Sequence, residues 1–111
     1  MEILAPAGSF SALKAAVING ADAVYLGASA FSARAKAANF SEEELASAVR
    51  YCHLFNVKVY LAVNTVIKLS EYKEALSTIK YADSVGVDAF ILQDLPFIAY
   101  LHSTMPDITI H

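Results

Sequence analysis

Two stretches of the chain carry the same pattern, and together they decide the fold. Asn19–Ala28 reads NGADAVYLGA and Val85–Asp94 reads VGVDAFILQD. Each contains a glycine, one apolar residue, the pair Asp-Ala and a short apolar run. Gly20 and Gly86 predict helix ends, because glycine adopts the left-handed conformation at no steric cost. The apolar run predicts the strand that follows, so the pattern is the hinge between a helix and a strand.

Short apolar runs and longer amphipathic stretches alternate along the whole chain. The runs are three to seven residues long and nearly continuous, which is typical of strands that are buried on both faces of a parallel sheet. The five predicted strands are residues 3–5, 23–26, 57–63, 89–92 and 108–110. The order β-α-β-α-β-α-β-α-β predicts an α/β fold with right-handed crossovers. The two copies of the hinge are separated by two βα units of about 33 residues each.

Four helices are predicted between the strands, at 11–18, 42–55, 71–85 and 95–103. Ser9, Ser41, Ser70 and Asp94 are the predicted N-caps, because serine and aspartate side chains accept hydrogen bonds from the first free amides of a helix. The second helix carries its apolar residues on one stripe, and Cys52 lies on that stripe. We therefore interpret Cys52 as a small core residue rather than a reactive thiol.

Composition narrows the class of protein. Hydrophobic residues make up 57% of the 111 residues and charged residues 17%, with a net charge of −3. No basic stripe is present, so this segment alone offers no electrostatic surface for nucleic acid. The single cysteine cannot form an internal disulfide or a zinc or iron–sulfur site by itself. Neither a signal peptide nor a membrane-length apolar run is present, which favours a cytoplasmic protein without membrane partners.

Polar residues follow the predicted strands at the point where each strand ends. Ligands and catalytic groups gather at the carboxyl ends of parallel strands in α/β sheets and barrels. We therefore predict that Asn64, Gln93, Asp94 and His111 line one opening, with Asp94 and His111 as catalytic candidates and Asn64 and Gln93 as substrate-binding candidates. Each also has a structural interpretation: Asp94 as a helix cap, Asn64 and Gln93 as backbone partners, and His111 as a chain end.

Two further substrate-binding candidates lie in loops. Arg34 belongs to the long loop after the second strand, and its planar guanidinium suits a carboxylate or a phosphate. Ser9 opens the first helix after Pro6-Ala7-Gly8, where an anion could bind the free amides. No metal ligand set is predicted. Dinucleotide, phosphate-loop, zinc-protease and serine-hydrolase motifs are absent from the sequence.

A set of motifs resembles one known family. They are EILAPAGSFSALKAAVINGADAVYLGA at 2–28, FSAR at 31–34, NF at 39–40, VKVYLAVNT at 57–65, GVDAFILQD at 86–94 and PDITIH at 106–111. As a set they are similar to the amino-terminal part of the collagenase-like peptidases, peptidase family U32. The resemblance covers essentially the whole chain. The second strand of the family usually exits into two glycines, whereas here Gly27 is followed by Ala28.

The resemblance implies a fold, a cofactor site in the longer protein and an oligomeric state. It implies that residues 1–111 are a single domain, the first half of a TIM-type (βα)8 barrel with about five strands and four helices, and a fragment of a longer protein. It also implies a cysteine cluster further along the longer chain, which in some relatives holds an iron–sulfur centre. No cofactor is expected in this segment itself. A half-barrel exposes sheet edges, so we expect a homo-oligomer formed through those edges.

Three functions are compatible with this resemblance. The first is a peptidase (a hydrolase) acting on a peptide substrate, in which Arg34 holds a substrate carboxylate while Asp94 or His111 handles protons or a water. The second is a hydroxylation factor for RNA bases or ubiquinone precursors that needs the iron–sulfur cluster of the longer protein. The third is a non-catalytic scaffold half. The fragment alone is expected to be inactive.

Overall fold

The computed structural model describes residues 2–27, 42–63 and 66–111. In chain order its elements are β1 (Leu4–Pro6), α1 (Phe10–Ile18), β2 (Ala23–Gly27), α2 (Glu42–Leu54), β3 (Lys58–Val63), α3 (Tyr72–Ser84), β4 (Ala89–Leu92) and α4 (Leu95–Thr104). A 3₁₀ turn, Leu69–Glu71, precedes α3. The predicted α/β class and the alternation of strands and helices are confirmed.

The four strands are parallel and lie in the order β1-β2-β3-β4. The fifth predicted strand is represented by one parallel bridge, Ile110 opposite Phe90. The sheet order never reverses, and residues from all four helices join one core with the same face of the sheet. This arrangement is consistent with part of a βα barrel, which is wound in one direction, and differs from a doubly wound sheet.

The core lies between the helices and the outer face of the sheet. Its largest fully buried side chains are those of Phe90, Phe97, Leu13, Leu26, Ile79 and Leu101. Alternate residues of the strands point to the opposite face, where Ala23, Tyr60 and Ala89 are buried with Tyr25 and Ile91 beside them. Burial on both faces explains why the strands read as nearly continuous apolar runs.

Three residues with left-handed backbone end the first three helices. Gly20 has φ +86°, Gly86 has φ +104° and Asn56 has φ +59°. In each case the next amide donates back to a helix carbonyl five residues earlier, as Ala21 does to Ala16 at 3.1 Å. This is the Schellman geometry. The sequence pattern contained the two glycine copies but missed the third hinge, because asparagine takes the place of glycine there.

The repeated aspartates clamp neighbouring strands together. Asp22 donates its amide to the carbonyl of Ile3 at 2.8 Å, and its Oδ2 accepts the amide of Ile3 at 2.7 Å. Asp88 does the same to Val59, with both distances 2.8 Å. Each aspartate thus holds both backbone groups of one residue, which is Ile3 directly before β1 for Asp22 and Val59 within β3 for Asp88. These hydrogen bonds are the physical reason to interpret the shared pattern as a structural hinge between a helix and a strand.

The start of α3 differs from the prediction. Ser70 lies inside the 3₁₀ turn, and the N-cap position is Glu71. The carboxylate of Glu71 accepts the amide of Lys68 at 2.9 Å, which holds the turn closed ahead of the helix. The predicted pairing of Ser41 with Glu44 lies partly outside the described residues. The caps predicted at Ser9 and Asp94 are confirmed.

Candidate functional site at the carboxyl ends of the strands

Asp94 is the second residue after β4 and is bound to the backbone of two segments. Its Oδ1 accepts the amide of Phe97 in the first turn of α4 at 3.1 Å. Its Oδ2 accepts the amide of Ile67, in the segment after β3, at 2.7 Å. The predicted helix cap is therefore present, and a second bond, which the sequence did not predict, joins the exits of two neighbouring strands.

An open groove of about 480 Å³ lies beside Asp94. It is lined by Val66, Ile67, Tyr72, Asp94, Leu95 and Pro96. Val66 and Leu95 are 83% and 75% exposed, so large aliphatic side chains face solvent at this edge of the sheet. Ligand sites usually bury most of the ligand between apolar walls that carry a few polar groups. This groove has such walls and the carboxylate of Asp94, and it is open to solvent.

Aromatic rings support one wall of the groove. The ring of Tyr72 lies 5.2 Å from that of Phe97, edge to face, and 4.9 Å from that of Tyr100. Phe97 is fully buried, so the Tyr72 ring is anchored to the core. Edge-to-face pairs of this kind add to the burial energy and restrict ring motion. The groove is therefore built on rigid elements on its α3 and α4 side.

The other predicted site residues do not all meet at this edge. Gln93 is exposed immediately after β4, as expected for the strand exit. The hydroxyl of Ser9 accepts the amide of Ala12 at 3.1 Å, so its established contact is the cap of α1. Arg34 and Asn64 lie outside the described residues. Their predicted roles in substrate binding stay predictions.

His111 lies on the face of the sheet that carries Tyr60. Its amide donates to the carbonyl of Phe90 at 2.8 Å, which aligns it with Ile91, within the length of β4. Its ring lies 5.2 Å from the ring of Tyr60. The predicted opening that gathers His111 with the strand exits stays a prediction.

Tyr60 forms a second polar cluster that sequence reasoning missed. Its hydroxyl donates to the carboxylate of Glu2, 3.2 Å from either oxygen. Burial, the hydrogen bond to Glu2 and the charges of Glu2 and Asp88 raise the pKa of the Tyr60 hydroxyl. Glu2, Tyr60 and His111 come from three different strand regions, so only the register of the sheet could have brought them together.

Cys52 is fully buried in α2, as predicted for a core residue. Burial, with a further contribution from the charge of Asp88, raises the pKa of its thiol from 9.0 to about 11. A thiol of this kind carries little thiolate near neutral pH, and the thiolate is the nucleophile and the metal ligand. An iron–sulfur cluster takes about four such ligands. The residues present here therefore do not fit a cluster.

The described residues hold neither a metal-binding cluster nor a membrane-length helix. In residues 2–27, 42–63 and 66–111, no three or more histidine, cysteine, aspartate and glutamate side chains are grouped as a metal site would require. No helix in that same part of the chain is both long enough and apolar enough to cross a bilayer.

Comparison with known proteins identifies the family. The model of peptidase family U32 matches residues 8–111. The chain belongs to peptidase family U32. The resemblance of the motifs is thereby confirmed, and the strand-end groove is a feature of a U32 family member.

Relatives within this family carry different names. The chain is 43% identical to an uncharacterized protease of Methanocaldococcus jannaschii, over 86% of this chain and 23% of the relative. It is 34% identical to the 23S rRNA 5-hydroxycytidine synthase of Escherichia coli, over 100% of this chain and 16% of the relative. It is 39% identical to a collagenase of Porphyromonas gingivalis, over 89% of this chain and 24% of the relative. Several other matched proteins are named tRNA hydroxylation proteins. No solved structure matches the chain.

The chain spans about a quarter or less of the length of these relatives. Their activities belong to the longer proteins.

Proposed function

We propose that this chain forms the substrate-side wall of a longer protein that hydroxylates RNA bases. The observation that carries the proposal is the extent of the alignments. The match to the rRNA 5-hydroxycytidine synthase covers 100% of the chain, and those to two tRNA hydroxylation proteins cover 99% and 100%. The two relatives with protease names match 86% and 89% of it. All of this chain thus has a counterpart in the RNA-hydroxylating relatives.

The side chains in the described part also favour this function. A protease of the nucleophilic type needs an activated nucleophile beside a base. Cys52 is buried with a raised pKa, and both carboxylate oxygens of Asp94 hold backbone amides. An apolar groove with an anchored aromatic wall suits a flat base, since stacking on aromatic and apolar side chains is the usual way to hold an unpaired base.

In this proposal the chain contributes the groove and the longer protein contributes the rest. With a net charge of −3, this segment offers little attraction for phosphates, so the basic contacts to the RNA backbone come from outside it. The strands of the longer chain continue the sheet into a closed barrel. Any iron–sulfur cluster is held by cysteines beyond this chain. Action on RNA places the longer protein in the cytoplasm.

The test is the loss of a modified nucleoside. The gene for the longer protein is disrupted in its source organism, and rRNA and tRNA are digested and analysed by mass spectrometry. We expect at least one pyrimidine nucleoside that is heavier by one oxygen atom to disappear, and to return when the gene is restored. Unchanged nucleosides in both RNA classes would contradict the proposal.

Peptide hydrolysis is the second candidate, favoured by the 43% identity to the protease-named relative. In that case Arg34 binds a substrate carboxylate, and Asp94 or His111 serves the attacking water. The purified longer protein would cleave a gelatin or casein substrate, and Asp94→Ala would abolish cleavage. Cleavage that is fully retained in Asp94→Ala and in an Arg34→Ala variant would argue against these roles.

We also propose that the isolated 111-residue chain pairs with a second copy. Ile3 and Leu4, beside and in the edge strand β1, are 56% and 42% exposed. Unpaired strand edges with apolar side chains recruit a partner strand. Light scattering on the purified chain should therefore give the mass of a dimer. A single monomeric species at micromolar concentration would rule out this pairing.

A further inference from the structure

Asp94 makes one more bond than a helix cap requires. Ser9 caps α1 with a single acceptor, its hydroxyl, bound to the amide of Ala12. Asp94 caps α4 in the same way through Oδ1 and Phe97, but its Oδ2 reaches across to the amide of Ile67. Serine at position 94 could replace the first bond and is too short to replace the second. The carboxylate therefore has a function besides capping.

The second bond determines how the segment after β3 is oriented. Both Val66 and Ile67 line the groove, but Ile67 is 5% exposed and packs into the core, while Val66 is 83% exposed. The Asp94 carboxylate binds the backbone amide that joins the exposed residue to the buried one. The same carboxylate holds the first turn of α4, which carries Leu95 and Pro96 on the facing wall. One side chain thus links both walls of the groove.

We propose that Asp94 is a positioning residue: it fixes the segment 66–68 against α4 and so sets the shape of the substrate groove. It acts through Ile67 and Phe97 and not by transferring a proton. The tether itself follows from the contacts alone, whereas its effect on substrate rests on the proposed function. Hydrogen bonds to a charged acceptor contribute more than neutral ones, which suits a tether between two loops.

Two variants separate the tether from the cap. Asp94→Ser keeps an acceptor for Phe97 and loses the bond to Ile67. Asp94→Asn keeps a good cap but turns an NH₂ group, a donor, toward the Ile67 amide. Asp107→Asn is the matched control, because Asp107 is an exposed carboxylate just after α4 and its loss changes the net charge by the same amount.

The first readout is amide hydrogen exchange, measured by NMR on the 111-residue chain. We expect exchange at Ile67 to become at least about tenfold faster in Asp94→Ser and Asp94→Asn, since a bond to a charged acceptor is worth more than the ~1.4 kcal/mol that corresponds to tenfold. Exchange at Phe97 should stay within about threefold. Unchanged exchange at Ile67 in both variants would overturn the tether.

The second readout is hydroxylation of RNA by the longer protein carrying the same substitutions. A positioning role predicts a KM for RNA raised about tenfold or more in both variants, with kcat within about threefold and the melting temperature within about 3 °C of Asp107→Asn. A fall in kcat at unchanged KM would instead assign Asp94 a proton-transfer role and overturn the proposal. Full activity despite fast exchange at Ile67 would also overturn it.

The two proposals fail in different ways. If the unsubstituted longer protein hydroxylates no RNA, the proposed function fails, while the exchange rates at Ile67 still decide whether Asp94 tethers the two segments. If hydroxylation is present and insensitive to Asp94→Ser, the proposed function stands and the positioning role fails.

Discussion

The hinges at Asp22 and Asp88 have the same local geometry but lie in different surroundings. Each aspartate holds the amide and the carbonyl of one residue in, or directly before, the preceding strand. The residue held by Asp22 is Ile3, which is 56% exposed, whereas the residue held by Asp88 is Val59, which is fully buried. Asp88 Oδ2 also lies 2.8 Å from Nε2 of His53 on α2. The same motif thus serves once at the edge of the sheet and once inside it.

This difference shows that the sequence motif specifies geometry, while burial decides how much the geometry stabilises. Water can replace a lost hydrogen bond at an exposed amide, whereas a buried amide without a partner costs the full desolvation penalty. The second hinge is also connected to α2 through His53, and the charge of Asp88 contributes to the raised pKa of Cys52.

The largest expected effect is that of Asp88→Ala. It removes the bonds to Val59 and His53 and leaves the amide of Val59 without an acceptor in the sheet. We expect a loss of about 2–3 kcal/mol in the free energy of unfolding, with little of it from His53, because that pair is 42% and 33% exposed. Asp22→Ala is the matched control and should cost about 1 kcal/mol or less. Equal losses in urea unfolding would break the comparison.

Alkaline pH tests the surroundings of the second hinge. The thiol of Cys52 has its pKa raised from 9.0 to about 11, so its neutral form is favoured in the folded chain. Its contribution is therefore fully present below pH 9 and is lost as the pH rises toward 11, because the unfolded chain loses the proton first. We expect about 2–3 kcal/mol more loss in the unmodified chain than in Cys52→Ala over this range. Parallel pH profiles for the two proteins would contradict the shift.

The two hinge glycines should also differ in their tolerance of alanine. Both have positive φ, so both substitutions are strained. A Cβ on Gly86 would meet Cγ1 of Val49 at 3.2 Å, whereas one on Gly20 meets nothing within 4 Å. We expect Gly86→Ala to cost about 1–3 kcal/mol and Gly20→Ala about 1 kcal/mol. Thermal melting of the two variants side by side measures the difference, and a more damaging Gly20→Ala would reverse the ranking.

Much of the fold could be predicted because its signals are local. Buried parallel strands read as apolar runs, and the bounds of β4 were predicted to the residue. Gly20 and Gly86 marked helix ends, whereas Asn56 did not, since asparagine adopts left-handed backbone far less often than glycine. The cap predicted at Ser70 was wrong because a 3₁₀ turn, closed by Glu71, precedes the helix.

The site could be predicted only in part, because its geometry depends on register and on backbone groups. The cap formed by Asp94 follows from sequence position, but its bond to Ile67 involves a backbone amide, which every residue except proline carries and which no side-chain pattern distinguishes. The contact of the His111 ring with Tyr60 depends on the pairing of Ile110 with Phe90, which the sequence alone does not give. Contacts of this kind become visible only once the strands are aligned.

Amide hydrogen exchange at Ile3 and Val59 in the unmodified chain tests the central claim most directly. The account predicts that both amides are protected, because each is held by the carboxylate of an aspartate, and that Val59 exchanges at least about tenfold more slowly because only global unfolding exposes it. An unprotected amide at either residue, or equal rates at both, would contradict the view that Asp22 and Asp88 make the same contacts but stabilise the fold to different extents.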